Sequence, residues 1–144
     1  MIIAARRLEE LKRVQSECSD PSKVQILLLD LADPDSCLET TTDLFKKEKV
    51  DILVNNGGVS QREKFEDMQF DVCKRMMNIN CTSHIAVINA VLPGMKSRKS
   101  GKIVNVLSIA GQVGVPLRTM YCSSKFALSG FGKALRPEVK SHGI

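Results

Sequence analysis

Val50-Asp51-Ile52-Leu53-Val54-Asn55-Asn56-Gly57-Gly58 is the stretch that decides the fold. Val50 to Val54 reads as a strand buried on both faces, because aliphatic residues run on without a regular polar alternation. The polar and glycine residues that follow end it as a turn. Upstream, Asp35 to Lys47 has helical spacing with Leu38 and Leu44 facing in. Asp30-Leu31-Ala32-Asp33-Pro34 is a loop, and Val24 to Leu29 is a second continuous apolar run. Asp20-Pro21-Ser22 breaks a helix from Arg7 to Ser19, in which Leu8, Leu11 and Val14 recur at helical spacing. Met1 to Ala5 is an apolar stub that reads as a strand. Downstream, a polar loop extends to about Asp67, and a long helical pattern follows from Phe70 to about Met95. Gly101 precedes a strand from Lys102 to Leu107. A loop with Gly111, Gly114 and Pro116 then leads to a helix from Thr119 to about Leu135.

Strands and helices therefore alternate along the whole chain. That order predicts a doubly wound α/β fold, a parallel sheet with helices on both faces. No internal repeat, low-complexity segment or domain boundary interrupts residues 1–144, which read as a single domain.

Composition narrows the class. The chain has 144 residues, 43% apolar and 26% charged, which fits a globular domain and excludes collagen-like or disordered chains. No run of 18 apolar residues predicts a membrane span, and no signal sequence is visible. The net charge is +5, but Arg6, Arg7, Lys46, Lys47, Lys96, Arg98 and Lys99 are scattered. With five Phe and one Tyr to stack bases, no nucleic-acid partner is expected. Five cysteines without CxxC spacing predict neither a metal site nor a disulfide framework, and fit a reducing, cytoplasmic setting.

Ligands of open parallel sheets bind beyond the carboxyl ends of the strands. Arg6, Asp30, Asn56-Gly57-Gly58 and Ser108 fall there. Tyr121 and Lys125, four apart at a helix start, share one face. A phenol with an ordinary pKa near 10 exchanges protons poorly at neutral pH. An ammonium one turn away favours the phenolate and brings Tyr121 toward general acid–base use. Ser108, 13 residues earlier, can donate to a carbonyl oxygen that gains charge. Taken alone, the Tyr and Lys equally describe a packed ring beside a solvated amine, and the Asn-Gly-Gly segment an ordinary turn.

In combination, Asn55-Asn56-Gly57-Gly58, Asn80, Ser108 and Tyr121-x-x-x-Lys125, with the flanks "GKIVNVLSIAG" and "YCSSKFALSGF", resemble the classical short-chain dehydrogenase/reductase (SDR) family. "DILVNNGGVSQR" and "LRPEVKSHGI" resemble its member 7 group. The resemblance covers essentially the whole chain. It implies a Rossmann-type fold, NAD(P) binding, and hydride transfer between nicotinamide and a small carbonyl or alcohol. It makes Tyr121 the acid/base, Lys125 its partner and the holder of the nicotinamide ribose, Ser108 the group orienting the substrate oxygen, and Asn80 a support for a proton relay. Asn56, Gly57 and Gly58 would line the adenine ribose, and Asp30 and Leu31 would contact adenine, although Asp30 equally caps a turn. Arg6 would meet the adenosine 2′-phosphate, which favours NADP(H) over NAD(H). Its plainer reading is a solvated helix-start arginine.

The pattern also departs from the family. Gly57 stands in place of Ala, and Leu107 where a Ser often precedes the catalytic Ser. The first strand with its Gly-rich turn is expected before Met1, and the last strands with the substrate loop after Ile144. The chain thus reads as the middle of a domain of about 250 residues, truncated at both ends. Two other readings follow: a truncated, inactive form acting by protein interaction, and a Tyr-x-x-x-Lys epimerase or dehydratase. The Asn-Asn-Gly-Gly segment favours the classical branch over the latter. The resemblance also implies a homodimer or tetramer, and a longer parent with an N-terminal anchor to the endoplasmic reticulum membrane.

Overall fold

The four apolar runs form four short strands, β1 (Ile2–Ala5), β2 (Gln25–Leu28), β3 (Ile52–Asn55) and β4 (Lys102–Asn105). The computed structural model describes residues 1–144. Between and after the strands lie α1 (Leu8–Glu17), α2 (Pro34–Lys47), α3 (Phe70–Met77), α4 (Ser83–Arg98) and α5 (Thr119–Val139). The predicted alternation is therefore present, with ends shifted by a few residues.

Local chemistry sets the helix ends. Asp33 caps α2 by accepting from the Ser36 N–H at 3.0 Å, and Pro34 occupies the first turn, where its missing N–H costs nothing. Pro137 does not end α5 near Leu135 as the sequence suggests. Proline deletes only the bond its own N–H would make, and the Lys140 N–H still reaches the Arg136 carbonyl. The long helix expected from Phe70 is interrupted. Residues Asn78–Thr82 form a wide π-type turn joining α3 to α4. Such turns are frequent at functional sites, because they displace side chains from the regular helical register. No helix is long and apolar enough to cross a membrane.

The strands pair in parallel, Ile2 with Gln25 through Ala5 with Leu28, and Ile52 with Lys102 through Asn55 with Asn105. They form two separate two-stranded sheets rather than one. A groove of about 900 Å³ lies between them, lined by Ile2, Ala4, Leu27, Ile52 and Val54 among others. This position corresponds to the centre of the sheet, where the resemblance places a further strand. The strands are consequently not buried on both faces. Ile52 (58% exposed) and Val54 (56%) share an open face with the paired Val104. The half-sheets are an incomplete Rossmann arrangement, with unpaired edges that favour association.

The core lies on the other face, where α2 packs on α4. It is built from Cys37 and Thr41 of α2, from Val87, Ile88, Val91 and Met95 of α4, and from Leu128 of α5. Leu38 faces outward instead, as do Leu8 and Val14 of α1. The reason is geometric. The buried stripe of α2 runs through positions 37 and 41, and α1 packs mainly on β1 and β2, where Leu11 is its one buried residue.

Candidate active site

The carboxyl ends of the strands converge on one edge of the molecule. The Val106 N–H bonds the Asn55 carbonyl at 2.9 Å, extending the β3–β4 pairing beyond the strands, and Asn55 Nδ2 donates to Asn105 Oδ1 at 2.9 Å. Ser108 follows three residues after β4. Its Oγ accepts from the Ala110 N–H at 3.2 Å, starting a short turn. At Gly111 that turn presses on α5: a Cβ there would sit 3.0 Å from the Lys125 carbonyl oxygen. Glycine thus permits the close approach that brings Ser108 beside the helix carrying Tyr121 and Lys125.

Lys125 is buried, at 5% exposure. Its Nζ donates to the Val106 carbonyl at 3.1 Å, and none of the chain's ion pairs includes it. A buried amine whose one partner is a neutral carbonyl is costly to the fold. Lys125→Met keeps the apolar stem and removes that cost. The expected result is a melting temperature equal to or above that of the parent, read by circular dichroism. A drop of more than a few degrees would show that Nζ holds the fold together.

Asn80 is fully buried within the π-type turn. Its side chain forms a reciprocal pair with the Val59 backbone: Oδ1 accepts from the Val59 N–H at 2.8 Å and Nδ2 donates to the Val59 carbonyl at 2.9 Å. Nδ2 also donates to Ser124 Oγ at 3.0 Å. Asn80 thus ties the loop after β3 to α5. Gly58 sits at the junction, where a Cβ would lie 3.2 Å from Asn80 Oδ1 and 3.6 Å from Lys125 Nζ.

On the far side of Gly58 is a cleft of about 270 Å³. It is lined by Arg6, Asp30, Leu31 and Asn56–Gly58, all the residues expected on that side, together with His84. Arg6 is exposed. The Asp30 carboxylate accepts from the Ala32 N–H at 2.9 Å, so it makes the turn that its sequence also suggested. Gly57 has a specific consequence. A Cβ there would meet Leu31 Cδ1 at 2.5 Å, so Leu31 occupies the room that an alanine would need.

His84 was not legible as a site residue. It lies four positions after Asn80, and that polar spacing was the one available signal. At 3% exposure its Nε2–H donates to the Gly57 carbonyl at 2.8 Å. Burial holds its pKa below the usual value; the bond to Gly57 opposes this and the Lys125 charge adds to it. The native ring is therefore neutral at pH values where the unfolded ring, with a pKa near 6.5, takes a proton. Its contribution is full above about pH 6.5 and is lost as the pH falls toward the depressed native value. The melting temperature should fall between pH 7.5 and 5.5, with a shallower fall in His84→Gln. Equal slopes would remove His84 as the cause.

Comparison with known proteins identifies the family. The short chain dehydrogenase family model matches residues 1–144. Dehydrogenase/reductase SDR family member 7 of Homo sapiens is 39% identical over 148 residues, covering 99% of this chain and 44% of that protein. The Mus musculus counterpart is 41% identical over 145 residues, covering 96% and 43%. The chain thus spans about half the length of these relatives. A short-chain dehydrogenase from Streptomyces avermitilis superposes with a TM-score of 0.91 at 29% identity, over 99% of this chain and 52% of that one. ElxO, solved with NADP bound, superposes with a TM-score of 0.89 at 29% identity, over 99% and 59%. A match along its whole length and relatives at this identity leave one assignment: the chain belongs to the short-chain dehydrogenase/reductase family.

Proposed function

We propose that these residues form the catalytic half of an NADP(H)-preferring oxidoreductase that interconverts a small carbonyl compound and its alcohol. The observation that carries this reading is the buried Lys125 side chain, one helical turn from Tyr121 and held without an acidic partner. The amine's one hydrogen bond, to the Val106 carbonyl, leaves two of its three N–H donors free to serve a ligand beside Tyr121.

The cleft suits one end of a dinucleotide. Its 270 Å³ lies just below the roughly 300–1,000 Å³ of small-ligand pockets, and Gly57 and Gly58 line it without side chains of their own. Asn56–Gly58 would line the adenine ribose, and Asp30 and Leu31 the adenine. Arg6 at the mouth favours a 2′-phosphate, whose oxygens a guanidinium can bind in bidentate fashion. Lys125 would hold the nicotinamide ribose. A nicotinamide held there would supply the hydride for the carbonyl carbon.

The remaining chemistry belongs to this chain. As the carbon–oxygen π pair moves onto oxygen, Ser108 Oγ donates to that oxygen and holds it near Tyr121. Tyr121 gives its phenolic proton to the oxygen, completing the alcohol. The Lys125 charge favours the phenolate left behind. Asn80 acts as a positioning residue: its side chain is committed to Val59 and Ser124, and so fixes the loop against α5. Oxidation of an alcohol reverses each transfer.

The groove between the half-sheets favours a second reading for the 144 residues by themselves, a chain that carries the motif without turning over. One experiment separates the two. NADPH at about 100 times its Kd should raise the melting temperature by about 5–10 °C, and aldehydes should then oxidise it. A melt indifferent to NADPH would favour the inactive form.

A further inference from the structure

We propose that Arg118 is a specificity-determining residue that takes the carboxylate of an otherwise apolar carbonyl substrate. The inference rests on the oxidoreductase reading above. Arg118 immediately precedes α5, and its guanidinium carbon lies 5.9 Å from the centroid of the Tyr121 ring. It is half-buried, yet no carboxylate of the chain pairs with it. Its guanidinium makes one hydrogen bond, from Nη1 to Ser60 Oγ on the loop after β3. A guanidinium carries five N–H donors in a planar fork, so most remain free for a planar anion.

The backbone aims it there. Leu117 takes a φ of 63°, in the left-handed region that non-glycine residues rarely adopt. The Leu117 carbonyl accepts from the Glu63 N–H at 3.0 Å, which holds that turn against the same loop. Strain held in place beside a reactive group points to function. The surroundings define the rest of the ligand. Ile109, next to Ser108, is 78% exposed, and Val113 is 53% exposed. An apolar body can cover these side chains while a terminal carboxylate meets Arg118 and the carbonyl meets Tyr121.

The sequence supplies its own probe. The chain contains one Tyr and no Trp, so its tyrosine fluorescence reports on Tyr121 alone. Octanoate and octan-1-ol are titrated against that signal at fixed ionic strength, without cofactor. Octanoate should bind about tenfold more tightly, the low end for a charge-assisted contact at a half-exposed site. Arg118→Gln should bring the two affinities together, and Arg118→Lys should keep part of the difference. Ser60→Ala, which removes the strap and leaves the charge, should preserve it. Equal affinities in the parent, or a preference that survives Arg118→Gln, would overturn the proposal. So would a loss in Ser60→Ala as large as in Arg118→Gln, since Arg118 would then act only as a strap. With NADPH, kcat/KM for 8-oxooctanoate over octanal should follow the same ratios. Failure to reduce either aldehyde would sink the oxidoreductase reading, while the binding titration still reads Arg118 separately.

Discussion

Tyr121→Phe is expected to lower kcat/KM for carbonyl reduction by about 10²–10⁴-fold, the usual contribution of a positioned proton donor. The melting temperature should move by no more than about 2 °C. The two expectations have one origin. Phe retains the ring, the only part of the side chain with a recorded contact, its cation–π approach to Arg118. The hydroxyl is the only group removed, and its proposed work is done on substrate. NADPH-dependent aldehyde reduction and a thermal melt on the same preparation check the pair. Retention of most activity would transfer the proton to another group, and Ser108 would be the next to test. A large loss of both activity and stability would mean that the hydroxyl supports the fold.

How much of this was legible follows from which contacts are local. The strand runs and the helical spacings are local, and they located the elements, although Asp33-Pro34, which reads as loop, caps and opens α2. Tyr121 and Lys125 were legible because a four-residue spacing on a helix fixes a shared face whatever packs around it. Leu38 was misplaced because helical spacing gives a face but not its direction: the neighbour α4 chose the stripe through Cys37 and Thr41. The strands were read as doubly covered because an aliphatic run cannot reveal that β1 and β3 do not pair. Asn80 was named by resemblance, as a support for a proton relay; its bonds to Val59 and Ser124 were not legible, since these partners stand 21 and 44 residues away. His84 and Arg118 were missed for the same reason. Each gains meaning from a distant loop, through Gly57 and Ser60 respectively.

Asn80→Ala is expected to destabilise the fold by about 3–5 kcal/mol, well above the typical point substitution. The magnitude comes from what is stranded, not from the amide itself. The Val59 N–H loses its recorded side-chain acceptor, and the Val59 carbonyl and Ser124 Oγ lose a donor, all against a residue with no exposed surface. Each hydrogen bond lost contributes about 0.5–1.5 kcal/mol, and the Val59 groups left unpaired add to that, whereas Ser124 Oγ keeps its bond to the Tyr121 carbonyl. A domain of this size has only about 5–15 kcal/mol in hand. The midpoint should fall by roughly 6–20 °C at 2–4 °C per kcal/mol. Asn80→Asp separates hydrogen bonding from cavity formation. It keeps the volume and the acceptor for the Val59 N–H, but an ionised carboxylate cannot donate to the Val59 carbonyl or to Ser124. It should therefore be destabilised comparably to the alanine variant, although it leaves no void. If Asn80→Asp instead melts with the parent, the reciprocal pair with Val59 is not what holds the loop. Gly58, 3.2 Å from Asn80 Oδ1 at its hypothetical Cβ, would then have to be held from the Lys125 side of the junction.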